Sequence, residues 1–578
     1  MNIDIIVKMK LNRNAQPVSS LGATKMSPHR ITVCLAISAG LTSSTCFGSE
    51  SETVLSSKSQ DGARPVVTTT TGDVQGLRLD SLRVFKGIPY AAPPVGALRW
   101  RPPEPRQPWS GLLQANQFGP ACIQPRTRVP NVYTSDITPT GEDCLSLNVW
   151  APADAAHAPV FFWIHGGALV GGASKEPVYD GAPLARRGIV VVSINYRLGV
   201  LGYLAHPELS RESAQGVSGN YGLLDQIAAL RWVRANISEF GGDPSNVTIA
   251  GESAGGLSVM YLMASPLARG LFAKAIAQSA YMISTPELKE ARFGEKPSEE
   301  AGARLAGALH ARNISTLREA NAQDLTEAAA GAGFQPFASI DGYVMKRQLV
   351  EVFERGEQAP VPLLAGFNSG EIRSLRFLAP PVPESAEKYE AVIRERYGDL
   401  ADEFLRLYPS TDMQESIFAT ARDNLYGWTA ERLVRNQTAI GQPSYLYLFD
   451  HGYPAEDAAG LHAFHASELP YVFGTTDRTP ALWPKIPADA TEGRMTEAMT
   501  GYWSSFARTG EPRANGEPAW PRYGTTAGYM NFGGIPRASQ HLMPGMFELH
   551  EEAVRRRRAD GATPWNWNAG LISPPLKR

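Results

Sequence analysis

Short runs of consecutive apolar residues recur along the chain, and each ends in a turn that contains glycine or polar residues. Such near-continuous apolar runs are typical of strands covered on both faces. The clearest runs are 160–164, 189–194, 247–250, 362–366 and 445–449. The segments between them show helical spacing, as in 223–237, where Leu223, Ile227 and Leu230 share one stripe. Strands alternating with helices predict an α/β fold with a mostly parallel central sheet flanked by helices.

The N-terminal segment has the pattern of an export signal. Lys25 and Arg30 precede the apolar stretch 31–41, which has the length of a signal-peptide core and is too short to span a bilayer as a helix. We interpret residues 1–48 as a leader and expect an exported protein, periplasmic or secreted. The polar residues before Cys46 argue against a lipid anchor there. No linker or repeat divides 49–578, which we expect to form one domain.

The charge balance excludes several classes of partner. The chain has 578 residues, 43% of them hydrophobic, and a formal net charge of −2. This near-neutral balance predicts no nucleic-acid partner and no anionic membrane surface, and the apolar runs predict no transmembrane span. The basic run 555–558 is the exception. It follows several glutamates in a helix-like segment, so we interpret it as the C-terminal turn of a helix.

Four cysteines fall into two pairs. Cys34 and Cys46 lie in the predicted leader, and Cys122 and Cys144 lie in the predicted domain. In an exported protein, an even pair that remains after removal of the leader favours a disulfide. The alternative is a pair of free buried thiols.

The first candidate for chemistry is the stretch GESAGG, residues 251–256, between the run 247–250 and a helical pattern. Functional groups collect at the carboxyl ends of parallel strands. Glycines on both sides of Ser253 permit the tight turn from strand to helix that raises a side chain above the sheet. We predict that Ser253 is a nucleophile. The alternative is an ordinary turn serine.

A serine nucleophile needs a base and a carboxylate that orients the base. In folds of this kind the partners follow in the order serine, acid, histidine. Glu371 follows the run 362–366, while His462 and His465 both follow the run 445–449. At this point either histidine fits.

The stretch HGGA, 165–168, offers backbone N–H groups for an oxyanion, the alternative being a flexible turn.

Long motifs resemble the type-B carboxylesterase family, the cholinesterase-like branch of the α/β-hydrolases. They follow the order of the family at 85–105, 142–150, 195–204, 219–256 and 502–512. The likeness runs from about Val66 to about Trp565. It implies an α/β-hydrolase fold and a serine carboxylesterase that forms an acyl-enzyme and needs no cofactor or metal. The implied partners are a small-molecule ester and water, and no pattern specifies an oligomeric state.

The resemblance implies the roles of the triad residues. His465 stands three residues before Glu468, as the family's histidine does, and is therefore the implied base. His462 has no family role. Glu371 lies in the family's G-x-N-x-x-E-G pattern and is the implied acid, although Ile372 replaces the last glycine.

The resemblance also implies the oxyanion hole and one disulfide. The donors fall on the N–H groups of Gly167, Ala168 and Ala254, with Ala168 at a position where many members have glycine. The family's first disulfide matches Cys122 with Cys144.

The residues of the loop between these cysteines predict a substrate preference. In cholinesterases a tryptophan in this loop binds the quaternary ammonium through a cation–π contact. Here the loop has no tryptophan, its one aromatic is Tyr133, and Arg126 and Arg128 would repel a cation if they faced the gorge. We expect neutral, fairly apolar esters to be preferred over choline esters.

Two other functions fit the same resemblance. The triad could serve amide or lactone hydrolysis. A non-catalytic binding or adhesion module also has this fold, but such modules have lost the serine, whereas Ser253, Glu371 and His465 are all present here.

Overall fold

The central sheet contains 11 strands in the computed structural model, which describes residues 64–126, 129–566 and 569–577. The predicted leader, with Cys34 and Cys46, and the side chain of Arg128 lie outside the described residues. The described strands are β1 Val66–Thr69, β2 Gly72–Gln75, β3 Leu77–Leu79, β4 Leu82–Pro89, β5 Leu112–Gln114, β6 Ala121–Cys122, β7 Thr140–Gly141, β8 Ser146–Pro152, β9 Ala158–Ile164, β10 Val190–Ile194, β11 Gly242–Glu252, β12 Lys274–Gln278, β13 Leu363–Asn368, β14 Ser444–Phe449, β15 Gly528–Phe532 and β16 Pro536–Gln540.

The strand order in this sheet is β16-β15-β14-β13-β12-β11-β9-β10-β8-β4-β3. Every neighbouring pair from β15 to β10 is parallel, and the pairs outside this block are antiparallel. The predicted mostly parallel sheet is confirmed, and the five apolar runs correspond to β9, β10, β11, β13 and β14. The antiparallel margins were not part of the prediction. Two small sheets, β1-β2-β5 and β6-β7, complete the described strands.

Helices flank the sheet. The α-helices are Ala182–Ala185, Gly199–Tyr203, Pro207–Glu212, Tyr221–Asn236, Ala254–Ala264, Ser298–Ala308, Ile314–Glu319, Ala322–Gly331, Leu349–Glu354, Glu371–Ser374, Ala386–Tyr397, Ala401–Leu407, Met413–Arg422, Trp428–Ala439, Pro454–Ala458, Leu469–Phe473, Ala490–Thr509 and Met546–Asp560. A π-helical turn, Asp423–Gly427, joins two of them. Short 3-10 turns occur at Gly96–Leu98, Pro177–Tyr179, Ile237–Phe240, Pro266–Ala268, Arg376–Leu378, Gly398–Leu400, Ser410–Asp412 and Gly570–Ile572.

The alternation of side chains along β9 builds a hydrophobic core on each face of the sheet. Phe162 and Ile164 belong to one buried cluster, whereas Phe161 and Trp163 belong to the other. This is the two-residue period of a strand, and both clusters exclude water. Burying one such side chain contributes about 1.5–3 kcal/mol, which explains why the central strands are apolar throughout.

A buried ion pair connects the segment just after β10 to the helix Tyr221–Asn236. Arg197 donates from Nε and Nη2 to the two carboxylate oxygens of Asp225, at 2.8 and 2.7 Å, and its backbone N–H donates to Oδ2 at 3.0 Å. The side chains are 4% and 0% exposed. Burial raises the pKa of Asp225, and the charge of Arg197 opposes that rise.

The basic run 555–558 lies in the last turns of the helix Met546–Asp560, as predicted. Arg556 pairs with Asp399 at 2.7 Å, and Arg558 pairs with Glu354. The run is therefore part of the helix and its ion pairs.

Candidate active site

The predicted reactive residues lie at the carboxyl ends of neighbouring strands. Ser253 follows β11, and Glu371 begins a short helix after β13. His465 follows β14 at a greater distance, in the loop between the helices Pro454–Ala458 and Leu469–Phe473. The stretch 165–168 follows β9, which pairs with β11. Because parallel strands place their carboxyl ends at the same edge of the sheet, the topology gathers these segments on one side of the molecule.

Ser253 occupies a strained turn. Its φ is 56° and its ψ is −122°, a conformation that costs about 1–3 kcal/mol for a residue with a side chain. The flanking glycines are required because a Cβ at Gly251 would lie 2.4 Å from the carbonyl carbon of Gly255. A Cβ at Gly255 would lie 2.1 Å from the oxygen of Ile164. This is the sharp turn predicted from the GESAGG stretch.

Glu371 and His465 are in direct contact. Nδ1 of His465 bonds Oε2 of Glu371, and the other carboxylate oxygen accepts the backbone N–H of Asn368 at 2.9 Å. Glu371 is 0% exposed and His465 is 6% exposed, so water does not compete for this bond. A carboxylate on Nδ1 fixes the ring orientation, so that Nε2 is the nitrogen turned away from Glu371.

The loop that carries His465 packs closely on the turn that carries Glu371. The N–H of Gly370 donates to the oxygen of Ala463 at 3.0 Å. A side chain at Gly370 is excluded because its Cβ would lie 1.8 Å from the oxygen of His462. The glycine therefore allows the two loops to approach closely.

Sequence reasoning missed Glu252, the residue directly before Ser253. Its Oε1 lies 3.0 Å from Nε2 of His465. Burial raises the pKa of Glu252 to about 8, against the opposing charge of His465. Burial lowers the pKa of His465, but the charges of Glu252 and Glu371 outweigh burial and raise it above its ordinary value, which makes the ring a stronger base. The site therefore stabilises the imidazolium. The sequence signal that could have identified Glu252 was its position next to Ser253 in the GESAGG stretch.

A third buried carboxylate supports the two loops. Glu468 accepts hydrogen bonds from Nδ2 of Asn368 at 2.7 Å and from Nε2 of Gln278 at 2.9 Å. Gln278 in turn accepts the indole N–H of Trp503 at 3.0 Å. The Glu468 network, defined as these four residues, ties the ends of β12 and β13 to the helix Ala490–Thr509. Its asparagine and glutamate lie in the motifs that suggested the triad.

His462 has different partners. Its Nδ1 lies 2.7 Å from Asp457 and its Nε2 lies 3.5 Å from Asp450. The side chain is 41% exposed. Hydrogen bonds to Asp450 and Asp457 raise the pKa of His462 to about 9, so the ring is a cation at neutral pH. Of the two histidines, His465 contacts Glu371, and His462 pairs with surface aspartates.

The predicted oxyanion donors lie on a glycine-rich loop and a helix start. Gly167 has φ 100° and Ala168 has φ 54°, so alanine occupies the left-handed region at this position. Both residues are exposed to solvent. Ala254 begins the helix Ala254–Ala264, where N–H groups have no partner within the helix.

Side chains from two directions hold this loop. The hydroxyl of Tyr196 donates to the oxygen of His165 at 2.9 Å, and the two rings stack with centroids 4.6 Å apart. On the other side, Oε1 of Gln124 accepts the N–H of Gly172 at 2.9 Å, and its Nε2 donates to the oxygen of Gly172 at 3.0 Å. Burial lowers the pKa of His165 to about 4, so this ring is neutral.

Cys122 and Cys144 form a disulfide with a Cα–Cα distance of 5.0 Å. Within the loop that they close, the hydroxyl of Tyr133 donates to the backbone oxygen of His465 at 2.9 Å. Arg126 is exposed on the same loop.

Among the described residues, no cluster of three or more His, Cys, Asp or Glu side chains is arranged to hold a metal ion.

Comparisons with known proteins identify the family of this chain. Residues 63–545 match the carboxylesterase family. The fumonisin B1 esterase of Sphingopyxis macrogoltabida is 38% identical over 491 residues, which cover 82% of this chain and 87% of that protein. The para-nitrobenzyl esterase of Bacillus subtilis (strain 168) is 36% identical over 472 residues, which cover 79% of this chain and 92% of that protein.

Solved structures show the same fold. A PNB esterase structure superposes with a TM-score of 0.73 at 33% identity, covering 84% of this chain and 99% of that chain. A carboxylesterase of Geobacillus stearothermophilus gives a TM-score of 0.69 at 32% identity, covering 84% and 100% of the two chains. The chain therefore belongs to the carboxylesterase family, with the α/β-hydrolase fold, and is a serine carboxylesterase. The resemblance inferred from the sequence motifs is confirmed.

Proposed function

We propose that this enzyme hydrolyses neutral, fairly apolar carboxylic esters through an acyl-enzyme on Ser253. His465 is the general base and Glu371 orients its ring. The observation that carries the proposal is the contact between Glu371 and Nδ1 of His465, at the same sheet edge as the strained turn of Ser253.

The reaction has two halves. His465 takes the hydroxyl proton of Ser253 on Nε2 while Oγ bonds to the ester carbonyl carbon. The resulting oxyanion accepts hydrogen bonds from the N–H groups of Gly167, Ala168 and Ala254. The carbon–alkoxy bond then breaks, and His465 returns the proton to the departing alcohol. Water repeats these steps on the acyl-enzyme and releases the acid.

The carboxylates around His465 support this role. Glu371 and Glu252 stabilise the imidazolium that forms when the serine is deprotonated, because both lie against the ring in a buried site. The Glu468 network holds the turn that carries Glu371, so the base need not reorganise during the reaction.

Labelling with an organophosphate tests the nucleophile. We expect one phosphoryl adduct per chain, on Ser253, because an activated serine attacks phosphorus as it attacks an acyl carbon. Mass spectrometry of the peptide identifies the site, and Ser253→Ala is the control.

A matched ester and anilide pair then separates an esterase from an amidase. Faster anilide turnover would favour the amide alternative, and an unlabelled chain would favour the binding module.

The related enzymes carry two different substrates in their names, fumonisin B1 and para-nitrobenzyl esters. Both compounds therefore belong in a substrate panel, together with esters of graded acyl and alcohol size. We propose neutral esters because the loop closed by Cys122 and Cys144 has no tryptophan and its Tyr133 is engaged with the protein. Arg126 is exposed, so its charge gives no argument for repulsion of a cation inside the site.

A charged and an uncharged ester of the same shape test this preference. We expect kcat/KM for a 3,3-dimethylbutyl ester to equal or exceed that for the matching choline ester. A tryptophan face would have contributed about 2 kcal/mol to binding the cation once water is excluded. A clear preference for the choline ester would contradict this expectation.

We also propose export through the leader 1–48, with 49–578 as the mature enzyme. The disulfide supports an oxidising compartment. Among the described residues, no helix is long and apolar enough to cross a membrane.

A further inference from the structure

The hydroxyl of Tyr133 connects the disulfide loop to the backbone of His465. It donates to the oxygen of His465 at 2.9 Å and lies 2.6 Å from Oγ of Ser374. A phenol has one proton, and the carbonyl can only accept, so the hydroxyl of Ser374 supplies the proton of the second bond. The order of donation is therefore Ser374 to Tyr133 to His465.

The backbone around His465 needs such support. Ala463 has φ 46° and Ala466 has φ 70°, so left-handed residues lie on both sides of the histidine. Each costs about 1 kcal/mol or more and persists only where the surroundings hold it. A tyrosine hydroxyl aimed at the carbonyl between them is one such restraint.

Three consecutive carbonyls of this loop accept hydrogen bonds from two other segments of the chain. The oxygen of Ala463 accepts from the N–H of Gly370 at 3.0 Å, and that of Phe464 accepts from Nδ2 of Asn368 at 2.8 Å. Both donors come from the end of β13 and its turn. The third carbonyl, that of His465, accepts from Tyr133, which belongs to the disulfide loop.

We propose that Tyr133 is a positioning residue for His465 and that Ser374 acts through it. The inference rests on the proposed function. The ring of Tyr133 also packs edge-on against His465 and Trp483, with centroids 6.5 and 6.3 Å away. Burial raises the pKa of Tyr133 well above 10, so the hydroxyl stays a donor over the working pH range.

Tyr133→Phe tests the hydroxyl and keeps the ring. We expect kcat to fall about tenfold with KM nearly unchanged, because a displaced base slows proton transfer without altering ground-state binding. Ser374→Ala should lower kcat about threefold, and the double variant should be no slower than Tyr133→Phe. Tyr502→Phe is the matched control, since its hydroxyl donates to the oxygen of Pro518 at 2.6 Å in another part of the protein.

The inference is overturned if Tyr133→Phe lowers kcat no more than Tyr502→Phe, or if the effects of the Tyr133 and Ser374 changes simply add. If Tyr133→Phe does not fold, Ser374→Ala decides alone, and an unchanged kcat overturns the inference. Turnover that survives Ser253→Ala overturns the proposed function and this inference with it. Normal turnover by Tyr133→Phe in an enzyme that requires Ser253 overturns the inference alone.

Discussion

Replacing Ser253 or His465 with alanine should each reduce kcat by about 10³-fold or more. Residues of a nucleophile and base pair act as a unit, so the double variant should be little worse than either single variant. Steady-state turnover of one neutral ester by the three variants measures this. Multiplicative losses in the double variant would show that the two residues do not act in one step.

His462→Ala is the matched control for His465→Ala. It removes a histidine three positions away that pairs with Asp457 and Asp450 and makes no contact with Glu371 among its described partners. We expect kcat to change far less than in His465→Ala. A loss of equal size would mean that the base has been assigned to the wrong histidine.

Arg197→Ala should lower the free energy of unfolding by about 3–5 kcal/mol. The change leaves the carboxylate of Asp225 buried without its partner, and an unpaired buried charge is strongly destabilising. Urea unfolding followed by tryptophan fluorescence gives the shift. Asp225→Ala should cost a similar amount, because it leaves the guanidinium buried without a partner.

The double variant Arg197→Met, Asp225→Leu is the control for that result. Apolar residues of similar volume often replace a buried ion pair at little cost, so this protein should be more stable than either single variant. If the double variant lost the sum of the single losses, the two residues would contribute independently, and the cost of an unpaired charge would not explain the effect.

Local patterns were sufficient for the parallel part of the fold. Strands such as β9 and β14 are buried on both faces, so apolar runs mark them directly. The turn at Ser253 was also predictable, because only glycine fits two positions before and two positions after the serine. The choice between His462 and His465 was different. Both follow the same strand, and only the resemblance to a family separated them.

The interactions around the predicted residues could not be predicted from local sequence patterns. Tyr133 and His465 are 332 residues apart, and no periodicity indicates that one hydroxyl reaches the backbone of the other. Glu252 adjoins Ser253 in sequence, yet its contact with His465 depends on the sharp turn between strand and helix. Contacts of this kind follow from how loops pack on a finished sheet.

The Glu468 network determines how much of the chain must be synthesised before the geometry around His465 is complete. Ser253, Glu371 and His465 have all been synthesised before the helix that carries Trp503 and before β15, the neighbour of β14. A nascent chain of that length holds every proposed reactive residue but lacks the indole that bonds Gln278. The geometry around His465 is therefore completed only when the C-terminal part of the chain has left the ribosome and folded against the earlier strands.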